Sequence, residues 1–229
     1  MLSITATDKW RNTYPGATIG LLELSGVENT LSSSKFEKQK RETEAHLRER
    51  YQGFTRQEFL ALPVMSAYEQ YYKRFNKTYH VLLQVESIVL KGKNLPNVSP
   101  LVDANFTAEV ETFILTAGHD AAKLRGALSI DVSVEGDFMA QMNGSSKVIY
   151  ASDMIMKDTD GICCSIIYGQ DNRSPISVNT SHVLYVAYAP AGVSVELVET
   201  QLRKIEGNIR LFSSSVVLDQ LSLLQANAA

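Results

Sequence analysis

Between residues 35 and 113 apolar side chains recur every three or four positions, whereas from Leu128 onward they alternate one by one or gather in short β-branched stretches. A helix turns once in about 3.6 residues and a strand repeats its side-chain direction every two, so this switch of period sorts helices and strands into separate blocks. Such segregation predicts an α+β fold rather than the alternating units of a parallel α/β sheet.

The helical block opens where Ser32, Ser33 and Ser34 offer an N-cap for a charged segment from Lys35 to Tyr51, with Phe36, Lys40 and Leu47 near one face. Further helices are predicted over Arg56–Leu60, from Pro63 onward with Val64, Tyr68, Tyr71 and Phe75 as a buried stripe, and over residues 80–91 up to the Lys91-Gly92 stop. After the connector bracketed by Pro96 and Pro100, Val102, Phe106, Val110 and Phe113 mark one more. A first strand is predicted over Ala17–Leu24, behind the turn Tyr14-Pro15-Gly16. Later strands are predicted over Leu128–Val134, Val148–Ala151, Ile162–Tyr168 and Val183–Ala189, then a closing helix through Val195, Val198, Leu202 and Ile205. Residues 208–229 show no clear period.

With 229 residues, 45% of them hydrophobic and 21% charged, the chain is expected to bury a real core as one domain over 1–229, without internal repeats. No apolar run reaches the roughly 20 residues that span a bilayer, and Asp8, Lys9 and Trp10 interrupt the place of a signal peptide, so a cytoplasmic protein without membrane contact is expected. The only cysteines are the neighbours Cys163 and Cys164, which rules out a disulfide scaffold, and the scattered histidines His46, His80, His119 and His182 do not have structural-zinc spacing. No metal or cofactor is expected. Charge is uneven: residues 1–99 carry 14 Lys/Arg against 10 Asp/Glu, and residues 100–229 carry 8 against 15. A basic front half can attract a polyanion, although clusters of this size are more often a solvated helix face.

Polar groups that can do chemistry concentrate in two stretches. Asp103 and Asn105 stand near a predicted helix start, where free backbone N–H groups favour an anion or a polarised carbonyl, while an Asp there is ordinarily a cap. His119 beside Asp120 offers an imidazole next to a carboxylate, either a water-positioning pair or a structural hydrogen bond. Cys163 and Cys164 lie in an apolar strand, where a small buried hydrophobe is the simpler reading than a nucleophile. The chain has no G-x-G-x-x-G, no G-x-x-x-x-G-K-[ST], no G-x-S-x-G and no H-E-x-x-H, which removes the usual nucleotide cradles, hydrolase elbow and zinc-protease helix.

Tyr14-Pro15-Gly16, the run Leu90-Lys91-Gly92-Lys93-Asn94-Leu95-Pro96-Asn97-Val98-Ser99-Pro100-Leu101-Val102-Asp103-Ala104-Asn105, and Ala117-Gly118-His119-Asp120 together resemble the free-standing B3/4 domain proteins. These are similar to the editing module of the phenylalanyl-tRNA synthetase beta subunit, and the resemblance covers residues 14–205. It implies an irregular β-sandwich-like core flanked by helices, and a cleft that admits the 3′ end of tRNA and hydrolyses the ester of a wrongly attached amino acid. By the same resemblance Asp103 and Asn105 match the site-forming helix start, His119 and Asp120 the histidine loop, and Gly161-Ile162-Cys163-Cys164 the glycine-rich pocket strand. The chain has Asn105-Phe106 where the synthetase module has a Thr-Asn pair, and no carboxylate in Val183–Tyr188 where that module recognises a tyrosine hydroxyl. It also lacks the aminoacylation core.

Two functions follow as expectations. In the first, the chain is a tRNA-binding deacylase in which Asn105, His119 and Asp120 orient water, Asp103 and residues 161–164 shape the pocket, and Lys91 and Lys93 meet RNA phosphates. In the second, it is a non-catalytic module that binds an amino-acid-like small molecule or RNA. DNA is not an expected partner in either.

Overall fold

The computed structural model describes residues 1–227. Strand β1 (Ile4–Ala6), helix α1 (Asp8–Thr13) and strand β2 (Thr18–Ser25) precede a helical block of α2 (Ser34–Arg50), α3 (Arg56–Ala61), α4 (Pro63–Lys73), α5 (His80–Val89) and α6 (Pro100–Thr112). The strand-rich half holds β3 (Thr116–Asp120), β4 (Leu128–Val132), β5 (Phe138–Ala140), β6 (Ser146–Val148), β7 (Met154–Asp158), β8 (Gly161–Ser165), β9 (Gly169–Gln170) and β10 (His182–Ala189), then α7 (Val195–Arg210) and β11 (Val217–Gln225). The fold is α+β.

Local chemistry sets the helix limits. Ser33 accepts a hydrogen bond from Phe36 N at 3.1 Å to start α2, and Thr55 with Glu58 forms a capping box on α3. Pro63 and Pro100 occupy the first turns of α4 and α6, where a missing N–H costs nothing. Helix α6 stops at Phe113, whose φ of 63° is left-handed, a conformation costing roughly 1–2 kcal/mol for a residue with a Cβ. Tyr79 Oη donates to the Phe113 carbonyl at 2.9 Å and pins this corner, which aims the chain from α6 into β3.

Two larger sheets share one hydrophobic cluster. One runs β11-β2-β10-β3, all antiparallel; the other runs β1-β4-β7-β8-β9, parallel only at β1–β4; β5 and β6 pair separately. Leu22 and Val186 of the first sheet and Ile130 and Met156 of the second belong to the same buried core. A fully buried apolar side chain of this kind contributes about 1.5–3 kcal/mol. Helix α7 packs so closely on β2 that a Cβ on Gly20 would stand 2.7 Å from Val198 Cγ1, so only glycine fits there.

Several elements depart from the sequence expectation. The chain around Gly118-His119-Asp120 is strand β3 rather than a loop, an edge strand whose pairing to β10 overrides its low β-propensity. The strand expected at 148–151 is displaced: β6 ends at Val148 and the next strand is β7, whose Met-Ile-Met-Lys-Asp sequence has no alternation. The unpatterned tail contains β11, where a bulge between Leu218 and Gln220 breaks the two-residue period. Strand β1 and helix α1 are too short to leave a periodic signal. Among the described residues no helix is long and apolar enough to cross a membrane.

Candidate functional site

Asn105 and Glu109 are one turn apart on α6 and both reach the first residue of β3. Thr116 N donates to Glu109 Oε1 at 2.7 Å, and Asn105 Nδ2 donates to the Thr116 carbonyl at 2.8 Å. A carbonyl accepts only from the NH2 group, so this bond sets the amide orientation and leaves Asn105 Oδ1 as the free atom. Oδ1 is buried and has no hydrogen-bond partner among the described residues. An unpaired buried acceptor costs about 1–3 kcal/mol. Glu109 is fully enclosed, and burial pushes its carboxyl up to about 8 against the opposing pull of the Thr116 N–H.

The phase of β3 completes the site. Strand β3 is an edge strand, bonded to β10 on one side only. Thr116 points its N–H and C=O away from β10, toward Glu109 and Asn105, and Asp120 N likewise donates away, to the Ser174 carbonyl at 2.9 Å. Backbone groups of an antiparallel strand alternate in direction, so Gly118, midway between them, directs its N–H and C=O off the same free edge. That edge faces a cavity of about 340 Å³ between α6, β3 and β9, with Asn105, Phe106, Thr116, Gly118, Gln170 and Ile176 in its wall. Among the described residues no Asp, Glu, Lys, Arg or His lines it; the remaining walls are mostly apolar. A Cβ on Gly118 would stand 2.7 Å from Ile176 Cδ1 and 3.0 Å from Tyr185 Cε1, so a larger residue there would push on both side chains.

His119 sits behind this wall. It is fully buried, with Nδ1 2.8 Å from Ser174 Oγ, and Ser174 in turn donates its hydroxyl to Asp171 Oδ1 at 2.8 Å. The network therefore assigns the proton to Nδ1 and leaves Nε2 bare, without a partner among the described residues. Burial, aided by the Arg173 cation and opposed by Asp158, pushes the imidazole down to about 3, so it is neutral at pH 7. Its link to the cavity is Gln170, whose Nε2 donates to the Ser174 carbonyl at 2.6 Å and lies 3.3 Å from His119 Nδ1.

No family model matches the chain, and no curated protein matches its sequence. Among solved structures it is similar to an N-terminal fragment of the phenylalanyl-tRNA synthetase beta-subunit from Pyrococcus horikoshii, with a TM-score of 0.48 and 7% sequence identity. The match covers 97% of this chain and 50% of the other, so the chain spans about half the length of that solved chain.

The other residues singled out from the sequence lie elsewhere. Asp120 accepts from Ala122 N at 3.2 Å and Thr180 Oγ1 at 2.9 Å, capping the short helical turn after β3. Asp103 is buried against Lys40 Nζ at 2.7 Å and accepts from Val98 N at 2.9 Å, which ties the 96–98 connector to α2 and α6. Gly161 and Ile162 line a different cavity of about 390 Å³ with Phe138, Lys157 and Arg173. Cys163 and Cys164 are buried; burial pushes the Cys163 thiol up to about 12 and raises Cys164 further. Lys91 and Lys93 are exposed, and Lys93 rims a third cavity of about 280 Å³ on which Phe106 also borders.

Among the described residues, Glu23, His182 and Asp219 come together with metal-ligand chemistry, but His182 Nε2 lies 2.8 Å from Glu23 Oε1 in an existing polar contact, and none of the three lines the Asn105 cavity. Of the residues in this wall the sequence marks Asn105 as a site residue, but not Gly118, Gln170 or Phe106. Glycine inside a strand is a sign of close approach, and Gly118 carried that signal.

Proposed function

We propose that the chain, as a single B3/4-like domain, binds the aminoacylated 3′ end of a tRNA and hydrolyses its ester bond. The observation that carries this reading is that Asn105, whose buried Oδ1 has no hydrogen-bond partner among the described residues, lines the same uncharged cavity as Gly118. The reaction class is the one that the resemblance of Lys91–Asn105 and Ala117–Asp120 to the B3/4 domain proteins implies.

Ester hydrolysis needs water held against the carbonyl carbon and a donor for the oxygen on which negative charge builds. Asn105 Oδ1 accepts a hydrogen from the attacking water, and the Gly118 N–H donates to the carbonyl oxygen. The new C–O bond forms to water, the bond to the ribose oxygen breaks, and the proton that water loses ends on that leaving oxygen. Products are a free amino acid and a free tRNA hydroxyl. Among the described residues no general base lines the cavity, so rate enhancement comes from placement and from the oxyanion donor. An uncharged wall of this size suits one apolar or aromatic amino acid, because no carboxylate or cation is present to pair with a charged side chain. Lys91 and Lys93, exposed on the connector before α6, meet phosphates.

A second reading, a non-catalytic module for the same ligands, is favoured by one observation: the His119 ring is fully buried and does not line the cavity. The two separate in one assay, release of amino acid from a panel of misacylated tRNAs by wild type and Asn105→Ala. Release above the uncatalysed rate that falls at least tenfold in a folded Asn105→Ala variant supports the deacylase. No release from any substrate refutes it, and a thermal shift with free apolar amino acids then establishes the binding module.

A further inference from the structure

Outside the cavity, five aromatic rings from four separate chain segments form a continuous row. Ring centroids are 5.9 Å apart for Tyr14–Tyr71, 5.5 Å for Tyr71–Phe75, 5.8 Å for Phe75–Tyr150 and 5.3 Å for Tyr150–Tyr168. The last two pairs are near-parallel, at 30° and 28°. Tyr14, Tyr71 and Phe75 are buried, whereas Tyr150 is 41% exposed and Tyr168 half-buried, so the row rises from the core and surfaces as a two-ring platform.

Cations accompany the row. The Arg74 guanidinium lies 5.3 Å, 5.4 Å and 5.5 Å from the centroids of Tyr14, Tyr71 and Phe75; Lys77 Nζ is 5.9 Å from Tyr150 and Lys147 Nζ 5.2 Å from Tyr168. Most of the other lysines and arginines pair with a carboxylate. Among the described residues none of these three has a carboxylate within 4 Å, so their charge remains available. Tyr168 directly precedes Gly169 and Gln170, which line the Asn105 cavity, so the platform adjoins the mouth of that site.

We propose that Tyr150 and Tyr168, flanked by Lys77 and Lys147, form a stacking platform for the bases of a single-stranded RNA segment, with the lysines moving onto its phosphates. Every base has a π-face and every linkage a negative charge, which is the pairing that aromatic rings interleaved with unpaired cations recognise. An exposed cation–π contact is weaker than base–aromatic stacking, so a base displaces Lys147 from its ring and the freed ammonium gains a phosphate. Duplex RNA keeps its bases stacked internally and cannot use the platform. The proposal extends the reading above by giving the strand that leaves the cavity a path, and the rings and cations carry it independently of ester hydrolysis.

Fluorescence anisotropy of labelled single-stranded U12 and of a 12-base-pair RNA duplex, titrated with the full chain across a salt series, tests it. Wild type is expected to prefer the single strand, and Tyr150→Ala to weaken that binding about tenfold with Tyr150→Trp restoring it, in the range of one lost stack. Lys147→Ala is expected to lower the slope of log K against log salt by about 0.7, the single-strand value for one phosphate contact. Equal affinity for duplex and single strand, or an unchanged affinity in Tyr150→Ala, overturns the proposal. Deacylation by a protein that binds no U12 overturns this surface alone; U12 binding with no deacylation overturns only the hydrolytic reading.

Discussion

Glu109→Gln turns the grip of α6 on β3 into a measurable pH dependence. Glu109 is fully buried and its folded carboxyl is raised from 4.5 to about 8, chiefly by loss of solvent. Between these two values the folded chain holds a proton that the unfolded chain has released, so stability falls as pH rises through this window and levels off above it. At about 1.36 kcal/mol per pH unit the loss relative to pH 4.5 is on the order of 3 kcal/mol at pH 7 and 5 kcal/mol at pH 8 and above. Glutamine keeps the shape and the carbonyl that accepts from Thr116 N, but carries no proton to lose. Urea unfolding at pH 5, 6, 7 and 8, followed through the single, fully buried Trp10, is expected to show the variant gaining on wild type by about 1 kcal/mol for each unit of pH. The comparison isolates Glu109, because other titrating groups are common to both proteins. A stability difference that stays flat from pH 5 to 8 refutes the reasoning.

Three further outcomes are expected. Lys40→Ala leaves the buried Asp103 carboxyl without its ion-pair partner and is expected to cost about 3–5 kcal/mol in denaturant unfolding, while replacing both by apolar residues recovers most of it; a loss below about 1 kcal/mol contradicts a dry ion pair. His119 has a folded value near 3 against 6.5 in the unfolded chain, so stability is lost as pH falls below 6.5, by about 3 kcal/mol at pH 4, and His119→Asn is expected to flatten that acid limb. Cys163 and Cys164 are expected to react with a thiol reagent at pH 8 only as fast as the chain opens; reaction of either within seconds in the native protein contradicts their burial and raised thiol values.

How much of the fold was legible follows from where side chains decide structure and where pairing does. Helices α2, α3, α4 and α6 were readable because Ser33, Thr55, Pro63 and Pro100 mark their starts, and α5 and α7 because apolar residues recur at helical spacing along them. Strand β4 was readable by alternation. Strands β3, β7 and β11 were not: Thr-Ala-Gly-His-Asp and Met-Ile-Met-Lys-Asp have little intrinsic reason to be extended, and β11 hides its period behind a bulge. They are strands because β10, β4 and β2 present open edges to them, which is information held by distant parts of the chain.

The same division governs the candidate site. Asn105 could be picked out because an amide at the start of a buried helix must find a partner, and the structure gives it the Thr116 carbonyl. Its remaining oxygen becomes chemically interesting only because β3 lies at an edge and Gly118 falls in the outward phase, facts fixed by the register with β10 rather than by any motif. His119 and Asp120 look like a reactive pair as neighbours in sequence. In the strand each is spent on a separate network, with Ser174 and Asp171 on one side and Thr180 with the following turn on the other. Adjacent residues of a strand point to opposite faces, so proximity along the chain argued for a dyad that β geometry divides. What the cavity retains is a backbone edge and one amide oxygen, and a site built from those depends on the α6–β3 corner staying rigid. The left-handed Phe113, the Tyr79 hydroxyl on its carbonyl and the Glu109 carboxyl on Thr116 are therefore as much part of the site as the atoms that would meet a substrate.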